Sequence, residues 1–335
     1  MADVTARPFR KIAVEEAFST PEHMAELKRL VDTHPDYHPD LVLAKVQVAG
    51  SPMTQRLLDL EDERIRLMDE AGIDLALLLL TAPGVQMTEP KAAADLSRRI
   101  NDGIAETVTR HPDRLAALTV VAPQAPEAAA REIERGMKTL AMKGVVVNSH
   151  TDGEYLCEPK YAPLLAAAEE FGAPIYIHPR APIPAMSEAY RPDNLQHAIW
   201  GFQAETGLHA LRLITSGVFD RFPKLQIVIG HAGEGLPYWL DRIDFMHALP
   251  RGRPELEHKP SHYFLNNFSV TTSGMNWPEN VLFLVRRLGA DRVMFAADYP
   301  YQVMKDEVAL MDAAPIGDEE REQIYCRTAE RVFRL

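Results

Sequence analysis

The sequence has few cysteines, no long hydrophobic run and no basic cluster, and each absence excludes a class of protein. Only two of the 335 residues are cysteines, so neither a disulfide framework nor a thiolate zinc site is expected. The longest apolar run, LALLLL at 75–80, is far too short to span a bilayer. The net charge is −12 and the Lys and Arg residues are dispersed, which disfavours nucleic-acid binding because duplex affinity depends on neutralising phosphates.

The start of the chain and its charge narrow the choice of compartment and ligand. The first residues, MADVTARPFRK, contain no apolar segment typical of a secretory signal, so we expect a cytoplasmic protein with reduced thiols. A small anionic substrate stays compatible with the acidic composition, because local arginines and metal ions decide the binding of such a ligand.

Short apolar runs alternate with longer amphipathic stretches, and this alternation predicts the fold class. Eight runs are typical of buried strands: 11–15, 73–80, 114–122, 143–150, 173–178, 225–231, 266–272 and 292–298. Helical patterns separate them, the clearest being 55–72, which should end at Gly72. We therefore predict an α/β fold: a (β/α)8 TIM-like barrel with insertions and C-terminal helices, forming one domain over 1–335. An open doubly wound sheet is disfavoured, because no Gly-rich phosphate loop follows the first strand.

Four acid or imidazole residues close predicted strands. Glu15, His178, His231 and Asp298 end the first, fifth, sixth and eighth runs. A single histidine at a strand end is more often structural than a ligand. Because the carboxyl ends of parallel strands meet at one mouth of a barrel, however, four such groups should converge there. The sequence therefore predicts a divalent-metal site at this rim.

The composition of this set favours a catalytic metal ion. Two carboxylates and two imidazoles without a thiolate suit Zn²⁺, Mn²⁺ or Fe²⁺ and leave positions open for water or substrate. Glu234, three residues after His231, is placed to fix the tautomer of that imidazole. The alternative is that Glu234 is a favourable charge at the start of the following helix.

Several motifs carry a family resemblance through most of the chain: VEEAF (14–18), LTAPGVQ (80–86), HPDR (111–114), NSH (148–150), YIHP (176–179), the stretch 205–244 and ADYPYQ (297–302). This pattern resembles the amidohydrolase superfamily, in particular its branch of nonoxidative aromatic-acid decarboxylases. Within that branch the stretches 205–244 and 297–302 are most similar to enzymes acting on 5-carboxyvanillate. Many hydrolytic members begin with a His-x-His pair, whereas here Glu15 is followed by Glu16 and Ala17. This departure counts against a binuclear hydrolase, as does the absence of a bridging lysine in VVVNSH.

The resemblance implies a metal centre and a proton donor. It implies one divalent ion, with Mn²⁺ favoured and Zn²⁺ possible, bound by Glu15, His178 and Asp298, with His231 close to the ion. Asp298 is then the expected donor of the proton that replaces CO₂ on the ring, with His231 and Glu234 tuning or relaying that proton.

The resemblance also implies the residues that bind the substrate, a small aromatic carboxylate. Arg64 and Arg242 would hold a carboxylate, and Phe202 and Tyr301 would line a slot for the ring. In related decarboxylases the arginine that matches Arg242 can cross a dimer interface, and the sequence leaves open whether Arg242 acts in this way. On sequence alone both arginines have acidic neighbours in predicted helices, so surface ion pairs are the alternative.

These observations predict a metal-dependent decarboxylase of a hydroxylated, methoxylated benzoate such as 5-carboxyvanillate, forming a homodimer or homotetramer without nucleic-acid or membrane partners. A mononuclear hydrolase such as a lactonase is the alternative, and a barrel that binds an aromatic acid without turnover is a third. The resemblance is poorest in the segment 33–55, so the tolerated ring substituents are the least determined part.

Overall fold

The computed structural model describes residues 9–34, 38–249 and 255–335. The first eight residues, on which the expectation about a secretory signal partly depends, lie outside these ranges, as do residues 35–37 of the segment 33–55. Within the described ranges the strands are β1 (Ile12–Phe18), β2 (Leu75–Leu80), β3 (Leu115–Ala117), β4 (Thr119–Val120), β5 (Val145–Asn148), β6 (Ile175–His178), β7 (Ile227–Ile229), β8 (Phe268–Thr271) and β9 (Val293–Met294).

The helices surround these strands in chain order. They are α1 (Pro21–Thr33), α2 (Pro39–Gln47), α3 (Pro52–Leu58), α4 (Asp62–Ala71), α5 (Pro90–Arg110), α6 (Pro126–Lys138), α7 (Ala162–Phe171), α8 (Pro184–Tyr190), α9 (Gly201–Thr215), α10 (Val218–Arg221), α11 (His231–Glu234), α12 (Leu236–His247), α13 (Pro260–Asn267), α14 (Pro278–Leu288), α15 (Met304–Asp312), α16 (Asp318–Glu322) and α17 (Thr328–Phe333). Among the described residues, none of these helices combines the length and hydrophobicity needed to cross a bilayer.

All paired strands are parallel and follow the chain order. One sheet has the order β1-β2-β3 and the other runs from β4 to β9. The break between the sheets falls inside the predicted third strand, 114–122, where Leu118 separates β3 from β4. Leu118 N–H donates to Leu78 O over 2.9 Å and Thr119 N–H donates to Gly144 O over 2.8 Å, so the two short strands occupy one strand position.

The first and last strands meet and close the barrel. Val14 N–H donates to Phe295 O over 3.1 Å, and Ala17 N–H donates to Tyr299 O over 2.8 Å. Eight strand positions therefore form a closed ring, which confirms the predicted barrel. Its strands are buried along their whole length, as β2 shows, because helices cover the outside of a parallel barrel and side chains fill its interior.

Several predicted boundaries need correction. The predicted helix 55–72 is two helices, α3 and α4, because the carboxylate of Asp59 accepts the N–H groups of Asp62 and Glu63 and starts a new helix there. Its predicted end is confirmed, since Gly72 follows α4 with a φ of 75°, in the left-handed region that glycine adopts without strain.

The strand ends also differ from those predicted for three of the four candidate ligands. Glu15 lies in the middle of β1, His231 lies two residues beyond β7 and Asp298 four residues beyond β9. Only His178 is the last residue of its strand, as predicted. His231 begins the short helix α11, and Asp298 lies in the loop between β9 and α15.

Candidate active site

Glu15 reaches the barrel interior from a bulged strand. The pairing of β1 with β2 shifts register between Ala13 and Glu16, which changes the direction of the side chains that follow. Glu15 is fully buried, and its Oε2 accepts hydrogen bonds from the Tyr176 hydroxyl and, over 2.7 Å, from Thr271 Oγ1. These donors come from β6 and β8, so the carboxylate is anchored from across the barrel.

An unusual backbone conformation follows β7 and β9. His231, Ala232, Glu234 and Asp298 have φ values of 47°, 60°, 53° and 63°, in the left-handed region that non-glycine residues rarely adopt. Such strain is concentrated at functional sites, where surrounding contacts maintain it.

The candidate ligands converge on one oxygen of Glu15. The Nε2 atoms of His178 and His231 each lie 3.8 Å from Glu15 Oε1, and His231 Nε2 lies 4.0 Å from Asp298 Oδ2. Ligand atoms from Glu15, His231 and Asp298 all lie within 4.8 Å of one another. Nitrogen and oxygen ligands bound about 2.0–2.2 Å from a single ion are separated by similar distances of roughly 3–4 Å.

The donor set fits a divalent cation. Glu15 Oε1 is buried and has no hydrogen-bond partner among the described residues, although Oε2 has two. A buried, unpaired carboxylate oxygen is costly, and a cation placed among these atoms would remove that cost. The orphaned oxygen is therefore evidence, independent of the sequence pattern, that a metal ion belongs here.

His178 has the tautomer that a metal ligand needs. Its Nδ1 donates to Pro179 O over 2.8 Å, with Asn148 Oδ1 at 3.1 Å, which leaves the lone pair on Nε2 facing Glu15. Burial lowers the pKa of His178 to about 4, so the imidazole is neutral at pH 7. Asn148 lies in the NSH motif, but the sequence did not indicate this orienting role.

His231 pairs with Glu234. Its Nδ1 lies 2.9 Å from Glu234 Oε1, and its Nε2 faces Glu15 and Asp298. Burial alone would lower the pKa of His231, but the charges of Glu234 and Glu15 outweigh burial and raise that pKa to about 10. The imidazole is therefore a proton-holding group beside the cluster, oriented by a carboxylate.

Asp298 retains its proton more readily than an exposed aspartate. Burial and, next, the negative charge of Glu15 raise the pKa of Asp298 well above its ordinary value near 4. A bound divalent ion would oppose this effect by lowering the pKa of both carboxyls. The site can thus hold either a proton or a cation between the same groups.

A cavity of about 370 Å³ opens above the cluster, a volume in the range of small-molecule sites. His178, His231 and Asp298 lie in its lining, and its walls include Val42, Leu43, Val46, Ala82, Phe202 and Tyr301. The predicted Phe202 and Tyr301 are thus beside the cluster. A cavity of similar size, about 400 Å³, lies at the opposite end of the barrel near Pro174 and Gln226. It is the less plausible site because parallel barrels carry their chemistry at the carboxyl ends of the strands.

The sequence missed part of this lining. Val42, Leu43 and Val46 belong to α2, and His197 precedes α9. These residues lie in the segment 33–55 and in the insertion after His178, where no strand-end signal marks a barrel-facing position. The one signal in the sequence was the poor family resemblance of the segment 33–55, which is typical of a loop that shapes the mouth of a barrel.

The structure does not bring Arg64 to the cavity. The residue is fully buried, its Nη2 donates to Ala17 O over 2.7 Å, its Nε donates to Asp59 O over 3.2 Å, and its guanidinium lies 4.8 Å from the ring centroid of Tyr299. The alternative of a surface ion pair is therefore wrong, because this cation attaches α4 to β1. Its contact with a substrate carboxylate stays a prediction that this placement does not support.

Arg242 lies on the exposed side of α12, away from the cavity of its own chain. The acidic neighbours considered in the sequence have other partners, since Asp241 pairs with Arg287 over 3.0 Å and Asp244 binds Ser261. Among the residues that the structure describes, none forms an ion pair with Arg242. The ion pairs with neighbouring acids that the alternative expected for Arg242 are thus not formed among the described residues.

Fold and site together define a class: a (β/α)8 barrel enzyme with a divalent-metal site of carboxylates and imidazoles at the mouth. The amidohydrolase family model matches residues 23–335, so the chain belongs to the amidohydrolase family. The resemblance predicted from the motifs is confirmed.

Named relatives of this chain are decarboxylases. Gamma-resorcylate decarboxylase of Rhizobium radiobacter is 36% identical over 97% of this chain and 98% of its own length. The crystal structure of 5-carboxyvanillate decarboxylase from Sphingomonas paucimobilis is 42% identical, with a TM-score of 0.95 over 98% of this chain and 99% of that chain. The 5-carboxyvanillate decarboxylase from Novosphingobium aromaticivorans, complexed with manganese and 4-hydroxy-3-methoxy-5-nitrobenzoic acid, is 41% identical, with a TM-score of 0.93 over 98% of this chain and 97% of that chain.

Proposed function

We propose that this protein is a metal-dependent, nonoxidative decarboxylase of a hydroxylated benzoate, with 5-carboxyvanillate or a close relative as substrate. The observation that carries this proposal is the position of Asp298, which belongs both to the metal-binding triad and to the lining of a mainly apolar cavity of about 370 Å³. A cavity of this size accommodates one substituted aromatic ring. The decarboxylase relatives support the reaction class.

Glu15, His178 and Asp298, with His231 beside them, would hold one divalent ion. Mn²⁺ is favoured because solved relatives contain manganese, and Zn²⁺ suits the same donors. When bound, the ion supplies positive charge that orients substrate oxygens and stabilises negative charge on them.

The residues of this chain supply the proton. Loss of CO₂ requires a proton to add to the ring carbon that bears the carboxylate, and the carbon–carbon bond then breaks. Its electron pair restores the aromatic ring while CO₂ leaves as a neutral molecule. Asp298 borders the cavity and is the proposed donor to that carbon. His231, 4.0 Å from Asp298 Oδ2 and bonded to Glu234, stabilises the carboxylate left behind and returns a proton to it.

The apolar walls favour the same reaction. Phe202 and Tyr301 flank the cavity, and the Tyr301 hydroxyl is already occupied by Thr81 Oγ1 at 2.6 Å and Gln47 Nε2 at 2.9 Å. The ring of Tyr301 is therefore held in place as a wall. A dry environment around the reacting carboxylate favours its conversion to neutral CO₂.

We further propose that a second copy of the chain completes the site. The described residues lining the cavity include no lysine or arginine, so a carboxylate that the substrate retains has no cation there. Arg242 shares one exposed face of α12 with Tyr238 and Phe245, which are 73% and 67% exposed and stand four residues before and three after it. An apolar helix face whose central cation has no ion-pair partner among the described residues is suited to a dimer interface that delivers Arg242 into the partner's cavity.

One assay tests the reaction class. Purified protein loaded with Mn²⁺ is incubated with 5-carboxyvanillate, gamma-resorcylate, other hydroxybenzoates and a panel of lactones, and CO₂ and ring absorbance are recorded. The proposal expects CO₂ from at least one hydroxybenzoate and no lactone turnover. Lactone hydrolysis without CO₂ from any benzoate would establish the hydrolase alternative instead.

A further inference from the structure

α2 forms one wall of the cavity and depends on tertiary contacts for its position. Val42, Leu43 and Val46 on this nine-residue helix all line the cavity. The helix has no side-chain cap at its N-terminus, and a helix of this length is not stable in isolation. The contacts that attach α2 to the barrel therefore determine the distance between the apolar side chains of α2 and the metal cluster.

The first attachment is a buried ion pair. Asp40, 3% exposed, accepts hydrogen bonds from Arg180 Nη2 and Nε, and its Oδ1 also accepts from Ala181 N–H over 3.1 Å. Arg180 is itself 2% exposed and donates through Nη1 to His150 O over 2.8 Å. Arg180 follows His178 by two residues, so this pair joins the start of α2 to the loop that begins at a proposed metal ligand.

The second attachment lies at the other end of the same helix. Gln47, the last residue of α2, is fully buried, and its side-chain NH₂ lies within hydrogen-bonding distance of three oxygens: Thr81 Oγ1 at 3.0 Å, Ala82 O at 2.9 Å and Tyr301 OH at 2.9 Å. Tyr301 N–H in turn donates to Asp298 O over 2.9 Å. The end of α2 is thus tied to the loop that carries the proposed proton donor.

We propose that α2 is the specificity-determining wall of this cavity, and that Asp40, Arg180 and Gln47 are positioning residues that fix its distance from the metal cluster. The ring edge that faces α2 then carries hydrogen or a small uncharged group such as methoxy. A charged or hydroxyl group there would lose its water without gaining a partner from Val42, Leu43 or Val46. A larger alkoxy group would collide with side chains that two attachments hold in place.

This inference rests on the proposed function for its substrate series, so its test includes a measurement that needs no turnover. The Mn²⁺-loaded protein is titrated calorimetrically with 4-hydroxy-3-methoxy-5-nitrobenzoic acid and with its 3-ethoxy homologue. In parallel, kcat and KM are measured for 5-carboxyvanillate and its 3-ethoxy homologue. The measured quantity is the preference for methoxy over ethoxy, in Kd and in kcat/KM.

Two variants probe the wall and its attachment. Leu43→Ala, at a partly exposed position, is expected to reduce the preference for methoxy about tenfold, the effect of roughly one methylene in an apolar pocket. Asp40→Asn leaves Arg180 unpaired and is expected to raise KM and to reduce the preference at least fivefold, with a smaller change in kcat. A merely structural loss would lower kcat/KM for both substrates equally and leave the preference unchanged.

The matched control is Asp102→Asn, which breaks the ion pair with Arg135 between α5 and α6 and should leave the preference at the wild-type value. Unchanged preference in both Leu43→Ala and Asp40→Asn would overturn the inference, and Leu43→Ala decides the matter if Asp40→Asn does not fold. A changed preference in Kd without CO₂ from any benzoate would support the wall and contradict the proposed function. Failure of the wild-type protein to bind either nitrobenzoate would overturn both.

Discussion

The two oxygens of the Glu15 carboxylate have different environments, and this difference organises the site. Oε2 accepts hydrogen bonds from Tyr176 and Thr271, whereas Oε1 faces two imidazoles and accepts no hydrogen bond from the residues that the structure describes. The backbone of Gly230 packs beside both oxygens. A Cβ added there would lie 2.8 Å from Oε1 and 2.9 Å from Oε2.

We expect Gly230→Ala to weaken manganese binding. Gly230 has φ −75° and ψ −169°, which alanine adopts without strain, so the effect would come from displacement of a carboxylate that its donors hold fast. Loss of a group that orients metal ligands typically lowers affinity about 10–100-fold, which calorimetric titration with Mn²⁺ would detect. The control is Gly103→Ala, where a Cβ has nothing within 4 Å. Wild-type affinity in Gly230→Ala would contradict the proposed role of Glu15.

Asp298→Asn should abolish decarboxylation while leaving the fold intact. Asparagine has nearly the same shape and keeps a carbonyl oxygen toward the metal, but it cannot hold the transferred proton. Removal of a general acid typically lowers kcat about 10²–10⁴-fold. The measurements are CO₂ release and the midpoint of thermal unfolding, and a turnover rate like that of the wild type would rule out the donor role.

Helix α6 packs against β4 with no room for a side chain at Gly136. Gly136 in α6 faces Thr119 of β4, and a Cβ there would meet Thr119 Oγ1 at 2.3 Å and Cγ2 at 2.9 Å. Glycine within a helix costs about 1 kcal/mol relative to alanine. Glycine is nevertheless present at position 136, because a larger residue would prevent the close contact between α6 and β4.

Gly136→Ala should destabilise the protein by about 1–3 kcal/mol, because the added methyl group forces α6 away from the barrel. Gly103→Ala, on the neighbouring α5 with open space around it, should instead raise stability by up to about 1 kcal/mol. Denaturant unfolding of the two variants measures both signs. If Gly136→Ala and Gly103→Ala raised the free energy of unfolding equally, the contact between Gly136 and Thr119 would make no contribution to stability.

The sequence predicted the strands and helices better than the residues at which they begin and end. Glu15 shows the reason. The pattern ends the first strand at Glu15, since a carboxylate interrupts an apolar run, whereas β1 continues to Phe18. The hydrogen-bond donors to Glu15 are remote in sequence: Tyr176 lies 161 residues away and Thr271 lies 256 residues away. The attachments of α2 to Arg180 and Tyr301 are similarly remote. Local periodicity indicates which residues are buried, but it does not contain these long-range partners.

Outside the candidate metal site, three buried histidines make the stability of the fold depend on pH. Burial lowers the pKa of His23 to about 4 and those of His150 and His209 to about 3. His209 accepts from Leu156 N–H through Nε2 over 3.1 Å, which leaves no place there for a second proton. The ordinary value near 6.5 applies to the unfolded chain, which therefore binds protons first as pH falls. The stability these groups contribute is present above pH 6.5 and is lost progressively below it.

His209→Gln should flatten this dependence. Glutamine keeps an acceptor for Leu156 N–H but does not titrate, so the slope of unfolding free energy against pH between 5 and 6 should fall by about 1.2 kcal/mol per pH unit. Urea unfolding of metal-free wild-type and variant protein gives the two slopes without contributions from metal release. Parallel slopes would mean that His209 is charged in the folded state.

The proposed interface makes a prediction about mixed assemblies. If Arg242 acts in the partner's cavity, Arg242→Ala and Asp298→Asn are each inactive alone. In a mixed dimer one cavity then receives both defects and the other is intact. Equal mixing with subunit exchange should therefore restore roughly a quarter of wild-type activity, because half the dimers are mixed and each has one intact site. A mixture that stays inactive, despite exchange shown by native mass spectrometry, would contradict the action of Arg242 in the partner's cavity.

Glu16 extends the role of β1 from the metal site to the assembly of the barrel. Its carboxylate accepts Ala297 N–H over 2.9 Å and Tyr299 N–H over 3.2 Å, from the two residues on either side of Asp298. Glu15 and Asp298 therefore become neighbours only when β1 meets the segment that follows β9. A binding ion favours the joined ends over the separated ones, by an amount that grows with the logarithm of its concentration. Metal occupancy thus reports that the ring has closed.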